Sequence, residues 1–309
     1  MKDIKLLTYG RLAKEFEQYV INSYPQITVV RPTNLKQVKE KVRQVNALAG
    51  FYFLNQLDLS NIQWIHSFGA GVDLFLSKTN NWNHDITITR TIGKLGDKIG
   101  EYCLAYVLGQ YKHVIKTYKQ QNESVWIQHT GENLYDKNVL ILGTGTIGSG
   151  VAKAFNQKVK RIVGVNKSGK QNSSFDAVIS WQDFKNINFD VIINALPNTP
   201  NTEGILNREF FEQFNNAIFV NVGRGDAVVE TGLLYALDNN HLRSAILDVF
   251  SEEPLPTSSK LWKHNKLIIT PHQSGLTTIT DIKHDFEQAY LGVTTNKKNT
   301  LFVNKKRGY

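Results

Sequence analysis

The feature that most constrains this chain is the apolar run Val139-Leu140-Ile141-Leu142. It passes directly into Gly143-Thr144-Gly145-Thr146-Ile147-Gly148, and Val151, Ala152 and Phe155 then follow at helical spacing. A strand, a glycine turn and a helix in immediate succession predict the first half of a βαβ unit. Residues 161–165 supply the returning strand. Each glycine has a physical task in such a turn. Gly143 permits the tight bend, Gly145 admits a diphosphate to the backbone, and Gly148 lets helix and strand pack closely. Free N–H groups and the dipole at the helix start favour phosphates, so the expectation is a dinucleotide site with Thr146 and Ile147 beside it.

The residues after the returning strand bear on which dinucleotide. An NAD site usually carries Asp or Glu there to bind the ribose 2′-hydroxyl. Here the segment is Asn166-Lys167-Ser168-Gly169-Lys170, with no carboxylate to repel a 2′-phosphate and with Asn166, Lys167, Ser168 and Lys170 able to hold one. NADP(H) is therefore favoured over NAD(H), the competing reading being a polar loop whose lysines face water.

Alternation of strand and helix extends along the whole chain of 309 residues, a length that suits two α/β domains. In the first part, strands are expected at 4–8, 27–30, 51–54, 62–65 and 86–89. Helices are marked by Leu12, Phe16 and Tyr19 and by Leu35, Val38, Val42 and Val45. A helical stretch over 97–119 is long enough to link two domains. A six-strand unit follows, at 139–142, 162–165, 191–195, 217–221, 245–249 and 267–270. The formal charge of +9 is read first as a solvated surface, with nucleic acid, an acidic membrane surface or a small anion as the partners it could serve, and no nucleic-acid motif is present. No apolar run approaches the ~18 residues of a membrane span. With Cys103 as the sole cysteine, and with no apolar stretch after Met1-Lys2-Asp3-Ile4-Lys5, a cytoplasmic location without disulfides is the expectation. No pair of histidines has metal-ligand spacing with a third ligand, so no metal site is expected.

Three polar segments fall at the ends of later strands: Val222-Gly223-Arg224-Gly225-Asp226, Phe250-Ser251-Glu252-Glu253-Pro254 and Pro271-His272-Gln273-Ser274-Gly275. Ligands of open α/β sheets bind beyond the carboxyl ends of strands, so an Arg, an acid and a His converge at one end of the dinucleotide. Hydride transfer to a 2-keto acid needs a cation for the carboxylate and carbonyl, and an acid to protonate the forming alkoxide. The permanently charged fork of Arg224 suits the first task, and His272 kept protonated by Glu253 suits the second.

At these residues a resemblance becomes plain. Asn221-Val222-Gly223-Arg224-Gly225, Leu247-Asp248-Val249-Phe250 with Glu253-Pro254, and Thr270-Pro271-His272 resemble the signature segments of the D-isomer-specific 2-hydroxyacid dehydrogenases. Leu196-Pro197-Asn198-Thr199-Pro200-Asn201-Thr202 and Phe68-Gly69-Ala70-Gly71-Val72-Asp73 match as well, so the resemblance covers nearly the whole chain. The Gly-Ala-Gly form with Trp64 just before it is most similar to glyoxylate/hydroxypyruvate-reductase-like members, with phosphoglycerate-dehydrogenase-like members next.

The resemblance implies a Rossmann-type doubly wound parallel sheet inserted into a smaller flavodoxin-like α/β substrate domain. The domains would be 97–273 for NAD(P) and 1–96 with 274–309 for substrate, with cleft closure excluding water. It implies Arg224, Glu253 and His272 as catalytic residues, and Ala70 and Gly71 as a backbone cradle for the substrate carboxylate beside Arg224 and His272. Coenzyme contacts would fall on Leu196, Pro197, Thr202, Val222, Gly223, Asp248 and Gly275 in addition to the glycine turn. A homodimer formed mainly by the coenzyme domains is also implied. Side chains of 54–58 and 66–68 are expected to face the tail of the keto acid. His66 is read as a strand-end residue, the competing reading being a lining of the cleft, Cys103 and Trp262 as core, and Asp248 alternatively as a buried structural acid. Two departures stand out: Gln273-Ser274-Gly275 where many members have a Gly-Gly pair, and Asn166 where many have an acid. The rival reading is a nucleotide-sensing regulator on the same fold.

Overall fold

The computed structural model describes residues 3–50, 57–72, 75, 86–184 and 188–305. The chain divides into two compact units, Met1–Lys94 with Thr277–Tyr309, and Leu95–Leu276.

In the first unit, β1 (Lys5–Tyr9), β2 (Thr28–Val30), β3 (Ala47–Gly50), β4 (Trp64–Ser67) and β5 (Thr87–Arg90) form a parallel sheet in the order β2-β1-β3-β4-β5. That is the flavodoxin-like order. Both faces are covered, as an all-parallel sheet requires. Leu6, Ala49 and Trp64 pack with Phe16 and Val20 of helix Ala13–Ser23 and with Ile282, Phe286 and Ala289 of helix Ile279–Thr295. On the other face Leu7, Leu48 and Ile65 meet Val38 and Val42. The strand expected at 51–54 lies outside the described residues, and the strand observed next to it is Ala47–Gly50. Ala and Gly have weak strand propensity, and burial of all four residues between β1 and β4 overrides it.

The second unit holds β6 (Asn138–Leu142), β7 (Arg161–Asn166), β8 (Ala177–Ser180), β9 (Val191–Asn194), β10 (Ala217–Asn221), β11 (Leu242–Leu247) and β12 (Leu267–Ile269). All pair in parallel, in the order β12-β11-β10-β9-β6-β7-β8. Alternate residues of one strand feed opposite cores. Leu140 and Leu142 face a cluster with Phe210, Phe211 and Phe219, whereas Val139 and Ile141 face Cys103 and Val107 of helix Leu95–Tyr111 and Val151 and Phe155 of helix Thr146–Phe155. Cys103 is thus a buried packing residue, and burial pushes its thiol pKa up.

The sheet has a seventh strand where six are expected. The additional one, β8, is a short edge strand whose free side is occupied at Val178 by the Gln171 side chain, which donates to the Val178 carbonyl at 2.8 Å and accepts from its N–H at 3.1 Å. The expected single helix over 97–119 is two, Leu95–Tyr111 and Val114–Asn122, because His113 adopts a left-handed φ of 54°. Trp262, expected in the core, is 51% exposed, with its indole N–H donating to the Pro256 carbonyl at 2.9 Å. Among the described residues no helix is long and apolar enough to cross a membrane, and no group of three or more His, Cys, Asp or Glu is placed to hold a metal ion.

His66 is fully buried on β4 and does not line a cleft. Its Nδ1 is 2.9 Å from Thr89 Oγ1 and its Nε2 is 3.2 Å from Thr91 Oγ1, with the Phe286 ring 5.4 Å away. Burial pushes its pKa down to about 3, against the opposing pull of Asp285. The unfolded chain therefore takes up a proton on this ring below about pH 6.5 while the folded chain resists it, so stability is present above that pH and lost as pH falls toward 3. In thermal melts between pH 7.5 and 4.5, wild type should lose stability more steeply than His66→Gln, by up to about 1.4 kcal/mol per pH unit. Equal slopes would show that the ring does not contribute.

Candidate active site

At the carboxyl end of β6 the chain turns through Gly143 at φ 97°, whose N–H donates to Val165 O at 2.8 Å. A side chain at Gly148 would collide with this turn, since an added Cβ would lie 1.8 Å from the Gly143 carbonyl oxygen. At Gly145 the situation is opposite: an added Cβ would meet nothing within 4 Å. Gly145 is also the cap of helix Thr146–Phe155, and as a glycine it offers no side chain to the N–H groups of that first turn. Open space over an uncapped helix start fits a dinucleotide diphosphate.

Asn166, at the end of β7, has its amide committed to the protein. Its Nδ2 donates to Thr144 Oγ1 at 2.8 Å and to Lys170 O at 3.0 Å, and its Oδ1 accepts from Ser168 N at 3.0 Å. Asn166 therefore shapes the loop, leaving the exposed Lys167, Ser168 and Lys170 as the groups able to meet an anion. Leu196 and Pro197 begin the loop after β9, which the Thr202 hydroxyl closes by donating to Pro197 O at 2.7 Å and accepting from Thr199 N at 2.9 Å.

Two buried asparagines tie that loop to the next. Asn194 donates from Nδ2 to Asn221 Oδ1 at 2.9 Å and accepts from Leu196 N at 3.1 Å; Asn221 donates to Arg224 O at 3.2 Å and accepts from Gly223 N at 3.3 Å. Arg224 is half-buried, with Nη1 donating to Gly223 O at 2.8 Å. Gly225 lets this loop reach the segment carrying Glu253, because an added Cβ would sit 1.9 Å from the Phe250 carbonyl carbon.

Glu253 Oε1 accepts from Phe250 N at 2.9 Å, and its Oε2 lies 2.7 Å from His272 Nδ1. The hydrogen bond that His272 donates to Glu253 raises the His272 pKa above its usual value, outweighing burial and the repulsion of Arg224. Burial pushes Glu253 upward, but its bonds to His272 and Phe250, with the charges of His272 and Arg224, hold it below the usual carboxylate range. His272 has a left-handed φ of 51°, an unusual geometry held from below by Asp248. Asp248 is fully buried, accepting from Gln273 N and Ser274 N at 2.9 Å each and from the Thr270 hydroxyl at 2.6 Å.

The unit thus brings Arg224, Glu253, His272 and Asp248 together at the strand ends, with the glycine turn on the same edge of the sheet. Ala70 and Gly71 lie in the other unit, on the loop after β4. Gly275 packs against the Ile99 side chain, 2.8 Å from where a Cβ would stand. His66, Ser67 and Phe68 are buried and do not present side chains to a ligand, while 54–56 lie outside the described residues. Sequence reasoning missed Asn194 and Tyr102. An asparagine ending the apolar run Val191–Asn194 is a signal that could have been read, whereas Tyr102, whose hydroxyl is 2.6 Å from Thr270 Oγ1, sits on a helix with no local mark.

Comparison with known proteins points one way. Residues 104–274 match the model of the D-isomer specific 2-hydroxyacid dehydrogenase NAD binding domain. The chain is 32% identical over 263 residues to glyoxylate/hydroxypyruvate reductase A of Escherichia fergusonii, covering 79% of this chain and 81% of that one. Among solved structures it is similar to a D-isomer specific 2-hydroxyacid dehydrogenase family protein of Aeromonas salmonicida, with a TM-score of 0.89, 28% identity and coverage of 98% and 99%. The NADPH-dependent glyoxylate/hydroxypyruvate reductase of Sinorhizobium meliloti, solved with NADP and sulfate, shares the fold with a TM-score of 0.85 and 21% identity, covering 99% of this chain and 100% of that one.

The contact between His272 and Glu253 has a measurable signature. In an NMR titration the His272 ring should titrate above the usual histidine value of about 6.5, and in Glu253→Gln the midpoint should fall. The stability contributed by the pair is present below that usual value and is lost as pH rises through the raised pKa of His272. An unchanged midpoint in the variant would remove Glu253 as the cause.

Proposed function

The chain belongs to the D-isomer-specific 2-hydroxyacid dehydrogenase family and is an NAD(P)-dependent oxidoreductase of that kind. From that premise we propose that it reduces a small 2-keto acid of glyoxylate or hydroxypyruvate size to the D-2-hydroxy acid. The observation that carries this reading is the 2.7 Å pair of His272 and Glu253 beside Arg224, on the same sheet edge as the glycine turn. The unit Leu95–Leu276 takes the coenzyme, and the loop with Ala70 and Gly71 contributes backbone N–H groups to the keto acid's carboxylate.

Bound nicotinamide coenzyme supplies the hydride that reduces the carbonyl carbon. The guanidinium of Arg224 holds the carboxylate and draws electron density toward the carbonyl oxygen, where negative charge develops. With Nδ1 of His272 on Glu253, the ring's Nε2 carries the proton given to that oxygen. Glu253 orients the imidazolium and stabilises its charge, and water reprotonates the ring afterwards. Gly143, Gly145, Thr146, Ile147 and Gly148 would hold the diphosphate, and Lys167 and Ser168 would take the 2′-phosphate, which favours NADP(H). The NADPH dependence of the Sinorhizobium reductase agrees with this. Leu196, Pro197, Thr202, Val222, Gly223 and Gly275 wall the coenzyme, while the carboxylate of Asp248 acts through the loop that carries His272.

Cys103, a single buried thiol, suits the cytoplasm, where disulfides are rare. The chain acts as a homodimer, its partner copy covering the exposed apolar side chains of helix Val114–Asn122 and the loop after it. Val114 is 57% exposed, Tyr118 62%, Trp126 94% and Ile127 59%. Light scattering should give twice the chain mass, and Tyr118→Glu with Trp126→Glu should give the monomer; a wild-type monomer would end this part of the reading.

A spectrophotometric screen of glyoxylate, hydroxypyruvate, pyruvate and bulkier 2-keto acids with NADPH and NADH tests the function. The small keto acids should turn over, with higher kcat/KM for NADPH, and Lys167→Ala should weaken NADPH but not NADH. His272→Ala should lower kcat by about 10²- to 10⁴-fold. Arg224→Ala should raise the keto-acid KM and depress turnover together. Coenzyme binding without turnover across the panel would favour a nucleotide sensor instead.

A further inference from the structure

The loop that leaves β4 is fastened by its carbonyl groups. Ser67, only 1% exposed, donates from Oγ to Gly69 O at 2.9 Å and accepts from Gly69 N at 3.2 Å. One residue on, Arg90 donates from Nη1 to Ala70 O at 3.1 Å. Arg90 is anchored through its own backbone, since its N–H donates to Leu301 O at 3.1 Å and the neighbouring Thr89 bridges to Phe302.

In a trans peptide the carbonyl and the following N–H point in opposite directions. Fastening Gly69 O therefore turns the Ala70 N–H away from Ser67, and fastening Ala70 O turns the Gly71 N–H away from Arg90. Among the described residues neither N–H donates to a protein acceptor, and both residues are half-buried. Successive backbone N–H groups without a protein acceptor can bind an anion, and the guanidinium of Arg90 is hydrogen-bonded to the same peptide.

We propose that Ser67 and Arg90 are positioning residues that aim the Ala70 and Gly71 N–H groups at the carboxylate of the substrate and thereby set its affinity. The inference rests on the reading that this loop receives that carboxylate. It adds two side chains, one from β4 and one from β5, that need not touch the substrate.

The test uses the full chain with saturating NADPH and varied glyoxylate. Ser67→Ala and Arg90→Met should each raise the glyoxylate KM about tenfold, or about 1.4 kcal/mol. In both, kcat should stay within about twofold, because Arg224, Glu253 and His272 are untouched. NADPH affinity, read from nicotinamide fluorescence, should be unchanged. Arg90→Lys, which keeps a charged donor, should recover most of the loss, and it carries the test should Arg90→Met fail to fold. An unchanged KM in Ser67→Ala and in the folded Arg90 variants overturns the proposal. A KM rise accompanied by an equal loss of NADPH affinity, Arg90→Lys included, also overturns it. Gly71→Pro separates the two layers by deleting an N–H directly. If it leaves KM unchanged, the assignment of the loop to the carboxylate fails. If it raises KM while Ser67→Ala and Arg90→Met do not, only the positioning role falls.

Discussion

The carboxyl edge of the sheet in the second unit depends on the buried carboxylate of Asp248. A carboxylate with no access to water must have its lone pairs filled by protein donors, or its desolvation would cost several kcal/mol. Asp248 fills them with Gln273 N, Ser274 N and the Thr270 hydroxyl. Because the single hydroxyl hydrogen of Thr270 goes to Asp248, the Tyr102 hydroxyl must be the donor in the 2.6 Å contact between Tyr102 and Thr270. A directed chain of bonds thus runs from helix Leu95–Tyr111, which opens the unit, to the loop that closes it. Wrapping that loop around Asp248 forces His272 into its left-handed conformation and turns the ring onto Glu253.

Topology explains why so many loops meet there. In the order β12-β11-β10-β9-β6-β7-β8, connections from β6 and from β9 run in opposite directions along the sheet, and a crevice opens between their carboxyl ends. The glycine turn follows β6, and Asn194 ends β9. The amide pair of Asn194 and Asn221 then passes order from that crevice to the backbone of Arg224. Gly225 completes the series by allowing backbone-to-backbone approach at Phe250, so the Arg224 and Glu253 loops share one position.

What could be read from sequence was what is encoded locally. The glycine turn is six consecutive residues, and Arg224, Glu253 and His272 each follow an apolar run, so their convergence needs only the rule that strand ends gather on one edge. The features that escaped depend on neighbours far along the chain. Ala47–Gly50 is a strand because β1 and β4 enclose it, not because Ala and Gly favour extension. The edge strand β8 is completed by the side chain of Gln171, and the helix broken at His113 has no proline or glycine to mark it. His66 stands near the end of β4, before the Gly-Ala-Gly segment, and the sheet carries its ring into the aromatic core with Trp64 and Phe286. The contact of Arg90 with the loop after β4 is likewise invisible without the fold, since it reaches a carbonyl 20 residues away.

The excess positive charge acquires meaning from where it sits on the sheet. At the amino ends of β6, β9 and β11, cations are matched by carboxylates: Glu132 lies 2.6 Å from Arg243 and 2.5 Å from Lys137, with Asp190 3.7 Å from the same lysine. Hydrogen bonds from Lys137 and Arg243 hold Glu132 below its usual pKa, so the cluster stays ionised and mutually neutralised. At the carboxyl ends the pattern reverses. Lys167 and Lys170 follow β7 with no carboxylate in 166–174, while Glu253 holds His272 and Asp248 holds backbone donors. Pairing at one edge serves cohesion, and at the other the run after β7, rich in lysine and without a carboxylate, gives a local field that favours a phosphorylated coenzyme. The same sign of residue thus has two roles in one sheet, divided by which end of the strands it occupies.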